Sequence, residues 1–215
     1  MALHSSAPDY EDVAPYGVSR ESFDLMVGYH KLLFKWQRAI NLVSPKSMND
    51  AWRRHFVDSV QVLAHLPSDS PAVIVDLGSG GGFAGLVVAM CRPDLQVHLV
   101  DSDMRKCQFL RTVSRESSLA NAHVHNERVE NVLSEITPDY ITARGFAALG
   151  DIFSFAHEAY PSGIDAEFVL LKGARHEEEI EAARQEFTFE CDEVPSITDP
   201  SSRILRIKNV CKSFK

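Results

Sequence analysis

The stretch Val73-Ile74-Val75-Asp76-Leu77-Gly78-Ser79-Gly80-Gly81-Gly82-Phe83 carries an apolar run straight into a glycine-rich turn with a single carboxylate. The β-branched run reads as a buried strand. The turn reads as a ligand-binding loop, because glycine tolerates positive φ and lets the backbone approach a bound group closely. From Val73 onward the pattern repeats: strand candidates at 73–76, 96–100, 122–125, 140–143 and 168–171 alternate with helical stretches such as 83–91 and 104–117. This alternation predicts an α/β fold, a doubly wound, mostly parallel, Rossmann-like sheet covered on both faces, with ligands at the carboxyl ends of the strands. Segments 187–194 and 203–210 follow one another without a helix, which predicts an antiparallel C-terminal hairpin.

Upstream of the sheet the spacing changes. Ser19 offers an N-cap, and Phe23, Met26, Val27, Leu33, Phe34 and Trp36 recur at near-helical spacing over 21–40, with Lys31, Lys35 and Arg38 on the other side. A second helix is expected over 47–66, with Trp52, Phe56, Val60 and Leu63 inward, ended by Pro67-Ser68-Asp69-Ser70-Pro71. Residues 1–17, poor in large apolar side chains, read as a flexible tail. The organisation expected is therefore a tail (1–17), a helical extension (18–70) and a Rossmann-like domain (71–215) in one compact unit.

Composition narrows the setting. At 215 residues, 45% hydrophobic and 24% charged, the chain suits one core, and it holds no apolar run of the roughly 20 residues a bilayer span needs. A soluble cytoplasmic protein without membrane partners is expected. Cys91, Cys107, Cys191 and Cys211 are scattered without metal-ligand spacing, which reads as reduced thiols. His123 and His125 share a strand face, but no acidic or cysteine ligand completes a set, and no metal is expected. A net charge of −8 argues against non-specific coating of nucleic acid. The carboxylates crowd Glu177 to Glu193, whereas the N-terminal part and the end, Arg203 to Lys215, are basic.

Two cofactor classes compete for the loop. Gly80-x-Gly82-x-x-Gly85 has dinucleotide spacing, and an NAD-dependent oxidoreductase on the same fold is the alternative it supports. Asp76 beside the loop would repel a pyrophosphate but favour the sulfonium and ammonium of S-adenosylmethionine, to which Gly78-x-Gly80-x-Gly82 is suited. Asp101, at the end of the next strand, can accept both ribose hydroxyls. The charges select S-adenosylmethionine. A protein that senses the cofactor without turnover is a further alternative.

The run from Leu32 to Val43, then Arg54-His55-Phe56-Val57-Asp58-Ser59, then Asp76 to Gly85 resembles the bacterial small-subunit (16S) rRNA guanine-N7 methyltransferases, also called glucose-inhibited division protein B. Asp101-Ser102, Arg105-Lys106 with Phe109-Leu110, Arg128-Val129-Glu130, Thr142-Ala143-Arg144 and Leu171-Lys172-Gly173 follow in the same order. Ala84 stands where that family usually has proline, Gln37 where it has asparagine, and Gly145 where it has alanine. The resemblance implies that Gly78, Phe83, Asp101, Val129, Glu130 and Arg144 surround S-adenosylmethionine, with Val129 and Glu130 against adenine. It further implies that Arg128, Arg144 and Lys172 engage RNA or position the methyl donor, so that Arg144 and Lys172 are the catalytic candidates.

Guanine N7 presents an in-plane lone pair and no proton, so positioning is the main requirement and no histidine base is expected. His55 is equally a packing or capping histidine. An acidic protein still needs a basic face to meet rRNA. Lys35, Arg38, Arg54, His55, Arg105 and Lys106, with Lys31, Arg53 and Arg111, are expected to rim the cofactor mouth while the glutamates face away. The expected partner is 16S rRNA or the small subunit, met by a monomer.

Overall fold

A computed structural model describes residues 7–68 and 70–213. Residues 1–6 of the expected tail, Asp69 of the expected turn and Lys215 of the basic end lie outside the described residues. The sheet has seven strands: β1 (Val73–Leu77), β2 (Gln96–Val100), β3 (Ala122–His125), β4 (Tyr140–Arg144), β5 (Glu167–Lys172), β6 (Phe187–Pro195) and β7 (Arg203–Lys212). Their order is β3-β2-β1-β4-β5-β7-β6. The first five pair in parallel, while β7 lies antiparallel to both β5 and β6. β1 and β5 are almost wholly buried, as the near-continuous apolar runs of central parallel strands require.

Strand order reverses between β1 and β4, so the loops leaving these two strands diverge and open a crevice at their carboxyl ends. Helices α3 (Gly85–Cys91) and α4 (Met104–Glu116) pack on one face together with α1 (Arg20–Gln37). Helices α5 (Val129–Glu135), α6 (Leu149–Ala159) and α7 (His176–Ala183) pack on the other. α1 starts at Ser19, whose hydroxyl accepts from Ser22 N–H at 3.1 Å. It turns Met26, Tyr29 and Leu33 into the core.

Three local expectations are revised. Segment 7–17 is not loose: two 3-10 turns, Tyr10–Asp12 and Ala14–Tyr16, bury Val13 completely, and Asp12 accepts the indole N–H of Trp52 at 3.0 Å. Tyr10 and Tyr16 also pack against the core, so a few anchoring side chains hold the segment, which a compositional reading averages away. The second helix is composite: a 3-10 turn (Ser47–Asp50), a π-helical turn (Trp52–Val57), the short α2 (Asp58–Val60) and another 3-10 turn (Gln61–His65). The π turn leaves Arg53 and Arg54 exposed while burying His55, Phe56 and Val57. Such turns recur at functional sites.

The third revision concerns the start of α3, expected at 83 and found at Gly85. Ala84 has φ 87° and ψ −71°, a γ-turn geometry rare for a residue with a Cβ, and its N–H donates to Ser59 Oγ at 3.2 Å. Proline can adopt neither that φ nor that donation. Ala84→Pro, which installs the residue usual in the resembled family, is therefore expected to destabilise this chain by about 3 kcal/mol. A melting curve should show a fall of about 6–12 °C. An unchanged Tm would mean that the loop adopts another conformation.

Candidate active site

The glycine loop is pinned from two directions. Ser79 N–H donates to the Val100 carbonyl at 2.9 Å, Val100 N–H returns a bond to Ser79 Oγ at 3.1 Å, and Gly80 N–H donates to Asp101 Oδ2 at 2.9 Å. From the helical extension, Tyr29 donates its hydroxyl proton to the Gly81 carbonyl, and Ser59 holds Ala84. Tyr29 is fully buried, and burial raises its pKa well above the usual phenol range, so it stays a neutral donor. Gly78, Gly80 and Gly82 all take positive φ, between 56° and 85°.

A cavity of about 340 Å³ opens beside this loop, lined by Gly78, Asp101, Arg128, Val129 and Glu130 on one side and Phe146 on the other. That volume suits a small organic ligand. Asp101 Oδ1 accepts from Asp103 N–H at 2.8 Å, so both of its oxygens are oriented by backbone while each keeps a lone pair for a ribose hydroxyl. The residues present fit S-adenosylmethionine: a fixed carboxylate at Asp101, an apolar wall at Val129, and a loop whose first glycine lines the cavity without a side chain. The dinucleotide register fits poorly at its second glycine, where backbone should approach a pyrophosphate: a Cβ at Gly82 would instead overlap Leu86 and Leu110, so this glycine serves internal packing.

Asp76 is placed differently from the expectation. It is buried, faces β4 and α3, and does not line the cavity. Its Oδ1 accepts the Thr142 hydroxyl at 2.8 Å, while Oδ2 has no hydrogen-bond partner. Burial pushes the carboxyl up to about 6, against the opposing hydrogen bond from Thr142. Strand alternation turns the side chain under the loop, so it acts on the loop from below. A carboxyl held above its unfolded value of 3.8 keeps a proton that the unfolded chain releases between pH 4 and 6, so its contribution favours folding at low pH and is lost as pH rises through that window. Asp76→Asn is expected to gain about 3 kcal/mol over the parent above pH 6 and nothing below pH 4. Urea midpoints of the two proteins across pH 4–7.5 check this, and parallel curves would disprove it.

On the other side of Phe146 lies a groove of about 1320 Å³, between the composite helix, the loop after β4, α7 and the turn joining β6 to β7. Arg144 is one of the residues that line it. It donates from Nη1 to the Arg54 carbonyl at 3.0 Å and to Asp58 Oδ2 at 3.2 Å, and from Nη2 to His55 Nδ1 at 2.8 Å. Its guanidinium sits 4.9 Å above the Phe83 ring, on which His55 also stacks at 4.7 Å. Burial holds His55 down to about 3, with Arg144 and Arg54 adding to the effect. A neutral imidazole accepting at Nδ1 carries its proton on Nε2, so it has no lone pair left for a base. Asp58 is saturated as well: Thr198 Oγ1 at 2.5 Å and Gln61 Nε2 at 2.9 Å donate to Oδ1, tying the β6–β7 turn to the helical extension.

The other candidates divide between the two cavities. Gly78, Asp101, Arg128, Val129 and Glu130 share the smaller one, whereas Arg144 lines only the groove, and Gly80, Gly82 and Phe83 line neither. Lys172 lines the groove, but its ammonium is bonded to the Ala147 carbonyl at 2.6 Å and Glu179 Oε2 at 2.7 Å, fixing the loop after β4 to α7. Arg54 and His55 line the groove, and Arg38, Arg105 and Lys106 line a separate recess of about 310 Å³. Lys106 belongs to the smaller cavity too and lies 3.8 Å from Asp101, whereas Lys35 is exposed on α1. The glutamates do not all face away, because Glu178, Glu179 and Glu186 form one wall of the groove. His125 Nε2 bonds to His98 Nδ1 at 2.9 Å and His123 to Gln96, and no metal-competent cluster occurs among the described residues.

Sequence reasoning missed Tyr29, Asp58, Ser59 and Phe146 as parts of the site. Asp58 and Ser59 stood inside a quoted element, but Tyr29 is 52 residues from the carbonyl it holds and carries no motif.

A glycine loop after β1, a buried carboxylate after β2 and a sheet whose β7 inserts antiparallel define a Rossmann-like S-adenosylmethionine-dependent methyltransferase. Solved structures share this fold: a point mutant of MtNAS in complex with S-adenosylmethionine (TM-score 0.60, 14% identity, 97% of this chain and 86% of that one) and a SAM dependent methyltransferase from Aquifex aeolicus (TM-score 0.52, 14% identity, 77% and 94%). The family GidB, rRNA small subunit methyltransferase G, matches residues 22–205. Among relatives, the ribosomal RNA small subunit methyltransferase G of Rhodospirillum centenum is 42% identical over 206 residues, covering 95% of this chain and 91% of that protein. That of Parvibaculum lavamentivorans is 40% identical over 197 residues, covering 90% and 85%. The chain belongs to the rRNA small subunit methyltransferase G family. It is an enzyme that methylates rRNA, and the oxidoreductase and non-catalytic alternatives find no support.

Proposed function

We propose that the chain methylates N7 of a guanine in 16S rRNA, acting as a monomer on the RNA or the small subunit. The observation that carries this reading is that the groove and the cofactor cavity meet at the loop after β4, sharing Gly145, Phe146, Ala147 and Asp151. S-adenosylmethionine supplies an electrophilic methyl on a sulfonium. Asp101 would hold the ribose hydroxyls, Val129 and Glu130 would lie against adenine, and Gly78 would bring backbone close to the amino-acid part. His55 and Asp58 are both engaged by Arg144, so neither is free to remove a proton, and N7 is a nucleophile that has none to remove. Arg144, aligned by three acceptors, is suited to a phosphate or the O6 edge of the base.

Charge orients the RNA. Phosphates are repelled by Glu178, Glu179 and Glu186 and attracted by Arg54, Arg38, Arg105 and Lys106, so the strand enters over the helical extension. No helix among the described residues is long and apolar enough to cross a membrane. Incubation with labelled S-adenosylmethionine and undermethylated small subunits, followed by mapping of N7-methylguanine through chemical strand cleavage, is expected to show one labelled guanine. Label at another atom, or none in rRNA, would overturn the proposal.

A further inference from the structure

The ring of Phe146 lies directly on Gly78: a Cβ there would overlap it. Of the four residues that line both cavities, Gly145, Phe146, Ala147 and Asp151, it is the one with a large ring, and that ring stands against the glycine loop between them. It is also one of three large apolar side chains exposed among the described residues, at 36%. The nearest stacking partner is Phe155, at a loose 6.0 Å and tilted by 39°. Gly145 before it has φ 61° and nothing within 4 Å of where a Cβ would stand. The glycine loop, in contrast, is pinned by Tyr29, Ser59, Val100 and Asp101. Of the two touching surfaces, the ring is the one free to move.

We propose that Phe146 is a shutter between the donor cavity and the groove, displaced from Gly78 by the amino-acid part of the cofactor, and that the displaced ring becomes the stacking face for the target guanine. The second half rests on the functional reading above. A purine methylated at N7 becomes cationic, and an aromatic face attracts a cation through its ring quadrupole. The stack therefore strengthens as the methyl arrives, which lowers the barrier where a lysine or arginine at the same place would raise it. The first half sets an order: the donor binds, the ring turns, and only then is the stacking face for the base in place.

The test uses the full chain and S-adenosylhomocysteine, an unreactive probe of the donor cavity, measured by titration calorimetry. Phe146→Ala is expected to bind the probe at least threefold more tightly, because nothing has to be displaced. With undermethylated small subunits its kcat/KM should fall roughly 10- to 100-fold, the factor a base-on-ring stack carries, with kcat itself reduced because the stack strengthens as the base becomes cationic. Phe146→Tyr should stay within about threefold of the parent, whereas Phe146→Leu should match Phe146→Ala. Weaker probe binding by Phe146→Ala would make the ring a wall and overturn the shutter. A Leu variant as active as Tyr would overturn the stack. If the parent protein methylated no guanine, the functional reading would fail instead, and the calorimetry would still decide the shutter.

Discussion

Arg144→Ala is expected to lose at least about 100-fold in methyl transfer under conditions where the variant remains folded, since a displaced positioning group alone costs that much. The substitution removes the donor to three acceptors at once: the Arg54 carbonyl, Asp58 Oδ2 and His55 Nδ1. Asp58 is only 17% exposed at its side chain, so the carboxylate left behind is poorly solvated. Breaking such a pair costs about 3 kcal/mol, or a fall in Tm of about 6–12 °C. Two readouts separate site from scaffold. Arg144→Lys keeps the charge but not the two-armed geometry, and it should recover most of the Tm while recovering little of kcat. His55 should titrate higher in Arg144→Ala, because one of the influences holding it near 3 is gone, and proton NMR of the imidazole reads this directly. A folded Arg144→Ala with parental activity would remove Arg144 from the site.

Asp101→Ala is the second large effect. The carboxylate aligns Gly80 and Asp103 through their backbone N–H groups and restrains Lys106, besides offering its remaining lone pairs to ribose. Losing a hydrogen bond to a charged acceptor is worth about 1.5–3 kcal/mol, and two are lost here, so the affinity for S-adenosylhomocysteine should drop by at least roughly 100-fold. Asp101→Asn keeps one acceptor oxygen and should fall between. Calorimetry on proteins matched by circular dichroism is the measurement. An unchanged Kd in Asp101→Ala would place the ribose elsewhere.

Particular residues show how far the chain could be read unaided. The 73–83 stretch was legible as strand and loop because β-branched residues and glycines encode backbone conformation locally, and the antiparallel hairpin was legible because no helix separates 187–194 from 203–210. Asp101 was legible for the same reason: a carboxylate at a strand end needs only its neighbours to be placed. Asp76 was recognised as important but assigned to the wrong side of the loop. Its burial depends on Thr142 of a strand 66 residues away, and no local pattern reports that. Arg144 and Lys172 were singled out, yet their partners were not, because Asp58 and Glu179 are ordinary polar residues until the sheet brings them within bonding distance.

The succession of strands and helices and the class of cofactor are written in the linear chain. Each depends on backbone propensity, periodicity or the sign of a charge, quantities that a one-dimensional pattern carries. It took the packed sheet to make the helical extension clamp the glycine loop through Tyr29 and Ser59, to put Asp76 beneath that loop, and to stand Arg144 and Asp101 on opposite sides of Phe146. Those relations join segments far apart in the chain, and they exist because strand order reverses between β1 and β4, which brings the two loops together over one crevice.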